Sequence, residues 1–286
     1  TLNTTPDIIS LSNMLNNAVH EQCEFVVLEV SSHALQQKRI ENIDFDLRIL
    51  TNVSRDHLDY HKTMKSYQNI KKQFFLNEKR IKAIINIDDI VGRAIIDEGE
   101  LENHQFISYA IDRDADLKVK NIVYKDNKMI FDFLWEKNSY QIKANVYGKH
   151  NIYNLLSVIA SLLFYEFSMN KIIETIENLE GILGRNEVIH SNKNGFPQVI
   201  IDYAHTPDAL ENILKSLDET EPSEIILIFG CGGNRDKGKR KQMALVASKY
   251  ADKVIITNDN PRDENPHDIL NAVSYTHLTL PTTGIV

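Results

Sequence analysis

Apolar positions along the chain fall into two textures. FVVLEV (25–30), RILTNV (48–53) and KAIINI (82–87) are short, almost unbroken apolar runs bounded by polar or turn residues. Such runs lack the in–out alternation of a half-exposed strand and predict strands buried on both faces. Helix-like segments between them predict a parallel sheet covered by helices. From about 116 to 147, LKVKNIVY, KMIFDFLW and SYQIKANVYG are separated by KDN and EKN, the pattern of an antiparallel β meander. GKHNIYNLLSVIASLLFYEF then carries apolar residues on most helical faces and predicts a buried helix. A second alternating block begins near 186, with VIIDYA, EIILIFG and KVIITND as strands and helices at 207–217 and 240–250. The expected class is α/β, with one domain over 1–184 and a second over 185–273, the boundary near Gly184–Arg185. NPHDILNAV starts a helix that should run on, but SYTHLTLPTTGIV follows, so 274–286 is expected to be a non-native tail.

Composition changes this picture little. The 286 residues are 42% hydrophobic and 25% charged, ordinary for about two globular domains. The net charge of -8 argues against a nucleic-acid surface but leaves anionic small substrates open. Cys23 and Cys231 have neither metal-type spacing nor a disulfide framework, and no membrane span or secretory signal is evident. A reducing cytosol is the expected home.

Open parallel sheets bind ligands beyond the carboxyl ends of their strands. Run 25–30 ends in Glu29, followed by Ser31, Ser32 and His33, and run 48–53 leads into Asp56, His57, Asp59 and His61. Both loops should lie on one sheet edge. A carboxylate inside an apolar run is costly unless paired or bound to a cation; Glu29 with His57 suits Mg²⁺ or Mn²⁺, although a partly exposed Glu and a structural His fit the same pattern. In MKSYQNIKKQFFL, Tyr67, Ile70, Lys71 and Phe74 share one helix face, while Lys72 turns away by about 100°. A lysine on a buried face loses preference for charge and its neutral amine can add CO₂; equally, it can snorkel to solvent.

NTTPD, EVSSHALQQKR, TNVSRDHLDYH with YQNIKK, GKHNIYN, DYAHTPDAL, GCGGNRDKGKR and DNPR occur in the order and spacing of the MurE type of Mur ligase, a resemblance covering roughly residues 1–273. It implies an ATPase-like central domain and a Rossmann-like second domain, incomplete here. It also implies a monomeric, cytoplasmic bacterial enzyme of peptidoglycan biosynthesis. Such an enzyme activates the carboxylate of UDP-N-acetylmuramoyl-L-Ala-D-Glu with ATP as an acyl phosphate, and an amino acid amine then displaces phosphate. By the same resemblance, Glu29, His57 and a CO₂-derived carbamate on Lys71 hold Mg²⁺. Asn3, Thr4, Thr5, Ser31, Gln37 and Arg39 bind the UDP-muramoyl-dipeptide, and Asn151, Arg185, Asp202 and His205 serve ATP. Arg185 is also placed in the catalytic set. Thr before Pro-Asp is equally a helix start, which leaves a plain cap open for NTTP.

Arg235 and the run Asp259, Asn260, Pro261, Arg262 match the site of the incoming amino acid. meso-Diaminopimelate carries a second carboxylate where L-lysine has none, and the planar fork of Arg262 suits it. Diaminopimelate is therefore expected, with L-lysine as the alternative. The other readings are a folylpolyglutamate or cyanophycin synthetase type of ligase, or a non-catalytic nucleotide-sugar-binding module. GNRDKGKR nearly fits a phosphate loop, but Arg240 stands where Ser or Thr is needed, so it is rejected as one. In the family a GTNGKT-like loop precedes NTTP; the chain starts after that point, so these 286 residues alone are expected to lack ligase activity.

Overall fold

A computed structural model describes residues 4–76, 82–98, 105–125, 128–146, 148–179, 181–190 and 196–274. Helix α1 (Ile8–His20) and the one-turn α2 (Ser32–Gln36) precede β1 (Arg48–Leu50), α3 (Leu58–His61) and α4 (Met64–Leu76). β2 (Lys82–Asn86), α5 (Ile90–Glu98) and β3 (Gln105–Ala110) complete the parallel part, and β4 (Leu117–Lys125), β5 (Lys128–Trp135) and β6 (Asn138–Ala144) form the meander. All six strands make one sheet in sequential order, parallel from β1 to β4 and antiparallel from β4 to β6. Strand β2 shows why its run is unbroken. Ile84 packs into one core with Phe131, Phe133, Ile152 and Leu156, while Ala83 and Ile85 face Tyr67, Phe75, Val91 and Ile95 on the other side. The first core is roofed by α6 (Lys149–Phe164) and α7 (Met169–Glu177), the second by α4 and α5.

A further core is built by α8 (Pro207–Asp218), β9 (Ile226–Phe229), α9 (Gly238–Tyr250), β10 (Lys253–Ile256) and α10 (Pro266–Ser274). Strands β9 and β10 are parallel. VIIDYA contributes only β8 (Val199–Ile201), which pairs antiparallel with β7 (Glu187–His190) in a separate two-stranded sheet. The expected tail lies, from Tyr275 onward, outside the described residues.

One expected strand is absent. FVVLEV is extended but joins no ladder, and Val27 is 94% exposed. Apolar side chains supply material for a core, whereas a strand also needs a neighbour that accepts its backbone hydrogen bonds. Among the described residues β1 pairs only with β2, and nothing pairs with 25–30. No helix among the described residues is long and apolar enough to cross a membrane.

Candidate active site

Although 25–30 forms no strand, the two loops expected on one edge do meet. Thr5, fully buried, donates to the Glu29 carbonyl at 2.8 Å and accepts from the Ser31 amide at 3.0 Å. It does not cap α1. Asp7 does that, accepting from Ile9 and Ser10 amides at 3.1 and 3.0 Å. Ser31 caps α2 through Ala34 N–H at 3.2 Å. Arg39 donates to the Thr5 carbonyl at 2.9 Å and to the Gln37 amide oxygen, and Gln37 donates to the Tyr60 hydroxyl at 3.2 Å. Thr5, Ser31, Gln37 and Arg39 therefore form one linked group, with Thr4 exposed beside it; Asn3 lies outside the described residues.

Glu29 is exposed at the end of the unpaired run, and Lys71 is half-buried on α4 with its ammonium 5.7 Å from the Tyr67 ring centre. Lys72 points elsewhere and pairs with Glu98 on α5. Burial lowers the Lys71 pKa from its usual value, while Glu29 and Asp89 pull it back up. Burial likewise lowers the pKa of each of three neighbouring imidazoles, His33, His57 and His61, with His33 and His57 ring centres 4.9 Å apart. His61 is buried, bonded to Ser32 Oγ at 2.8 Å and stacked on Tyr67 at 5.2 Å. Tyr67 itself is pushed up to about 12 by burial and by Asp56 and Asp89.

His57 adopts φ 57°, a left-handed conformation uncommon for a non-glycine residue and enriched where function imposes strain. Asp56 holds it there, accepting its amide at 2.8 Å and lying 3.6 Å from its Nε2. Mg²⁺ keeps most of its water and needs only one or two protein ligands. The Glu29 carboxylate and a largely neutral His57 imidazole are a fitting donor set for a hydrated ion. They are not a closed cage: among the described residues no three His, Cys, Asp or Glu side chains are gathered to hold a metal.

Asp56 also reaches the second unit. His205 Nε2 lies 3.4 Å and Lys239 Nζ 3.7 Å from its carboxylate, and Arg55 pairs with Asp236 at 3.2 Å. Burial alone raises the Asp56 pKa, but His205, His57 and Lys239 outweigh it and hold the carboxyl well below its usual range. His205 thus sits with the imidazole loop. Tyr203 links it to the other nucleotide-side candidates, with its ring centre 4.9 Å from that of His205. The Asn186 amide donates to Asp202 at 2.9 Å, its side chain meets His150 next to Asn151 at 3.1 Å, and the Arg185 guanidinium lies over Tyr203 at 4.5 Å.

The loop that carries Arg235 and the loop that carries the DNPR run are tightly joined. Gly233 N–H donates to the Asn260 carbonyl at 2.9 Å, and Arg262 Nη1 donates to the Gly233 carbonyl at 2.6 Å. The Asn234 side chain donates to Asp263 at 2.7 Å. A Cβ on Gly233 would stand 1.9 Å from the Pro261 oxygen, so only glycine permits this approach. Asp259 borders Gly230 and Gly232 at the strand ends, and Arg262 has φ 49°. Arg235 is exposed, makes no side-chain hydrogen bond among the described residues, and lies within electrostatic reach of His33 and His57. Several amide groups of GNRDKGKR are used internally, Gly233 by Asn260, Asn234 by Glu264 and Gly238 by Asp236. Sequence reasoning missed Tyr60, which accepts from Gln37, and Lys239, a buried counterion of Asp56. Both act through partners far away in the chain, beyond any local pattern.

Residues 1–162 match the Mur ligase middle domain and residues 184–283 the Mur ligase, glutamate ligase domain. The chain belongs to the Mur ligase family. Within it, the chain is 38% identical over 270 residues to UDP-N-acetylmuramoyl-L-alanyl-D-glutamate--2,6-diaminopimelate ligase 1 of Clostridium acetobutylicum, covering 94% of this chain and 55% of that protein. It is 39% identical over 274 residues to the same-named ligase of Fusobacterium nucleatum, covering 95% and 55%. A solved UDP-N-acetylmuramoyl-L-alanyl-D-glutamate--2,6-diaminopimelate ligase superposes with a TM-score of 0.68 at 30% identity, over 98% of this chain and 57% of that one. The chain spans about half the length of the curated relatives it matches.

Proposed function

We propose that this chain supplies the central and amino-acid-binding parts of an ATP-dependent ligase that joins meso-diaminopimelate to UDP-N-acetylmuramoyl-L-Ala-D-Glu, acting in the bacterial cytoplasm. The observation that carries it is 38% identity, along 94% of the chain, to ligases named for that reaction. In this reading Thr4, Thr5, Ser31, Gln37 and Arg39, with Asn3, hold the nucleotide-linked dipeptide. Asn151, Arg185 and Asp202 attend ATP. His205 stands with them beside Tyr203, over which Arg185 lies, and also pairs with Asp56.

Glu29, His57 and a carbamate on Lys71 would hold Mg²⁺, which would supply positive charge against the transferring phosphoryl group. The depressed basicity of Lys71 favours the free amine that CO₂ needs. Transfer of the γ-phosphoryl to the substrate carboxylate gives an acyl phosphate and ADP. The diaminopimelate amine then attacks the acyl carbon, the C–N bond forms, and the C–O bond to phosphate breaks. Arg235 and Arg262 receive the carboxylates of the incoming amino acid, and a second guanidinium opposite a lysine side chain would stand unpaired.

The gene product carrying these residues is assayed for phosphate release with ATP and UDP-muramoyl-dipeptide. Turnover with meso-diaminopimelate and little with L-lysine is expected. Equal or better use of L-lysine overturns the amino-acid assignment, and no tripeptide product with any amino acid overturns the reading as a whole.

A further inference from the structure

Arg240 was set aside as the residue that spoils a phosphate-loop pattern, yet the fold buries it. Its exposure is 3%, and its guanidinium grips Glu264 with both arms, Nη2 to Oε1 at 2.9 Å and Nη1 to Oε2 at 3.1 Å. Glu264 Oε1 also accepts the Asn234 amide at 2.6 Å, with Lys237 at 3.4 Å on the rim. The Arg240 hydrogen bond holds the Glu264 pKa down to about 2. A buried ion pair is weak evidence for stability, because desolvation offsets attraction; its distinctive product is geometry.

That geometry joins two loops at defined points. Arg240 lies in the first turn of α9, five residues after Arg235, and Glu264 lies two residues after Arg262. The fork adds a buried, charged tie to the Gly233–Asn260, Asn234–Asp263 and Arg262–Gly233 bonds that join the loops carrying the two guanidiniums. Arg240 spends its guanidinium on Glu264 and, at 3.5 Å, on the Gly232 carbonyl. We propose that Arg240 and Glu264 are positioning residues for the incoming amino acid, fixing the spacing of Arg235 and Arg262 that recognises an amino acid with two carboxylates. This inference rests on the function proposed above.

The test is the kinetics of the gene product with Arg240→Lys and, separately, Glu264→Gln. Lysine keeps the charge but not the fork, and glutamine keeps an acceptor for Asn234 but weakens the pair. The expected result is a KM for diaminopimelate raised about tenfold, with kcat and the KM values for ATP and UDP-muramoyl-dipeptide within about twofold. Calorimetric titration of the chain with diaminopimelate is the second measurement and should weaken in step. A merely structural pair would move every KM and the melting temperature together. That result, or unchanged diaminopimelate affinity in both variants, overturns the inference. A wild type that neither uses nor binds diaminopimelate overturns the reading beneath it, and the inference falls with it.

Discussion

Two walls face each other in this molecule and are held in opposite ways. The amino-acid wall, loops 230–240 and 257–264, is joined by backbone and side-chain bonds through Gly233, Asn234, Arg240, Arg262 and Glu264. The metal-side wall hangs Glu29 on an extended segment with no ladder, tied back by the single hydroxyl of Thr5. Each neutral hydrogen bond contributes about 0.5–1.5 kcal/mol net and a charged one about 1.5–3. Among the described residues, the first wall is thus tied across its loops at more points than the segment that carries Glu29. Apolar content points the other way, since FVVLEV is far more hydrophobic than GNRDKGKR. Connection, not hydrophobicity, sets this difference.

The largest expected effect separates the walls chemically. Lys71→Arg keeps a cation on the same face of α4 but cannot carry a carbamate. In the gene product we expect kcat to fall about 100-fold or more, with the KM for diaminopimelate unchanged within about twofold. A carbamate carbon signal seen after labelling with ¹³C-bicarbonate should vanish. A large rise in the diaminopimelate KM would show that the walls are coupled and break the comparison.

Stability comes next. Gly233→Ala drives a methyl against Pro261 and should cost about 1–3 kcal/mol, read as a lower midpoint in urea. Gly181→Ala is the control, because a Cβ there meets nothing within 4 Å. If both glycines behave alike, the loops of the amino-acid wall are looser than their bonds indicate.

Much of this was legible in the chain and some was not, for physical reasons. KAIINI announced a doubly buried strand; on α4 the fold buries Tyr67 and Phe75 and half-buries Lys71 and Lys72 alike, with Lys72 paired to Glu98. The two loops expected on one sheet edge do meet, but through Ser32–His61, His33–His57 and Gln37–Tyr60 contacts, because the first of the two strands does not form. What pattern reading cannot supply is a partner. FVVLEV looks like a strand because its side chains fit one, but pairing depends on a second segment. Arg240 looks like a failed phosphate ligand because Glu264, its counterion, lies 24 residues away. His205 is drawn to Asp56 across nearly 150 positions, beyond any local period.

The smallest effect tests that lesson most directly. Val27 is 94% exposed, whereas Ile84, in a run of similar composition, is fully buried on β2. Introducing a hydroxyl into a packed strand leaves a polar group without water, at about 1–3 kcal/mol, on top of the lost methylene. Ile84→Thr should therefore lower the urea midpoint clearly. Val27→Thr should change stability by no more than about 0.5 kcal/mol, because its side chain is solvated before and after. Equal losses at the two positions would mean that 25–30 is packed as a strand in solution. Glu29 would then be as rigidly held as Arg262, and the contrast between the walls would disappear.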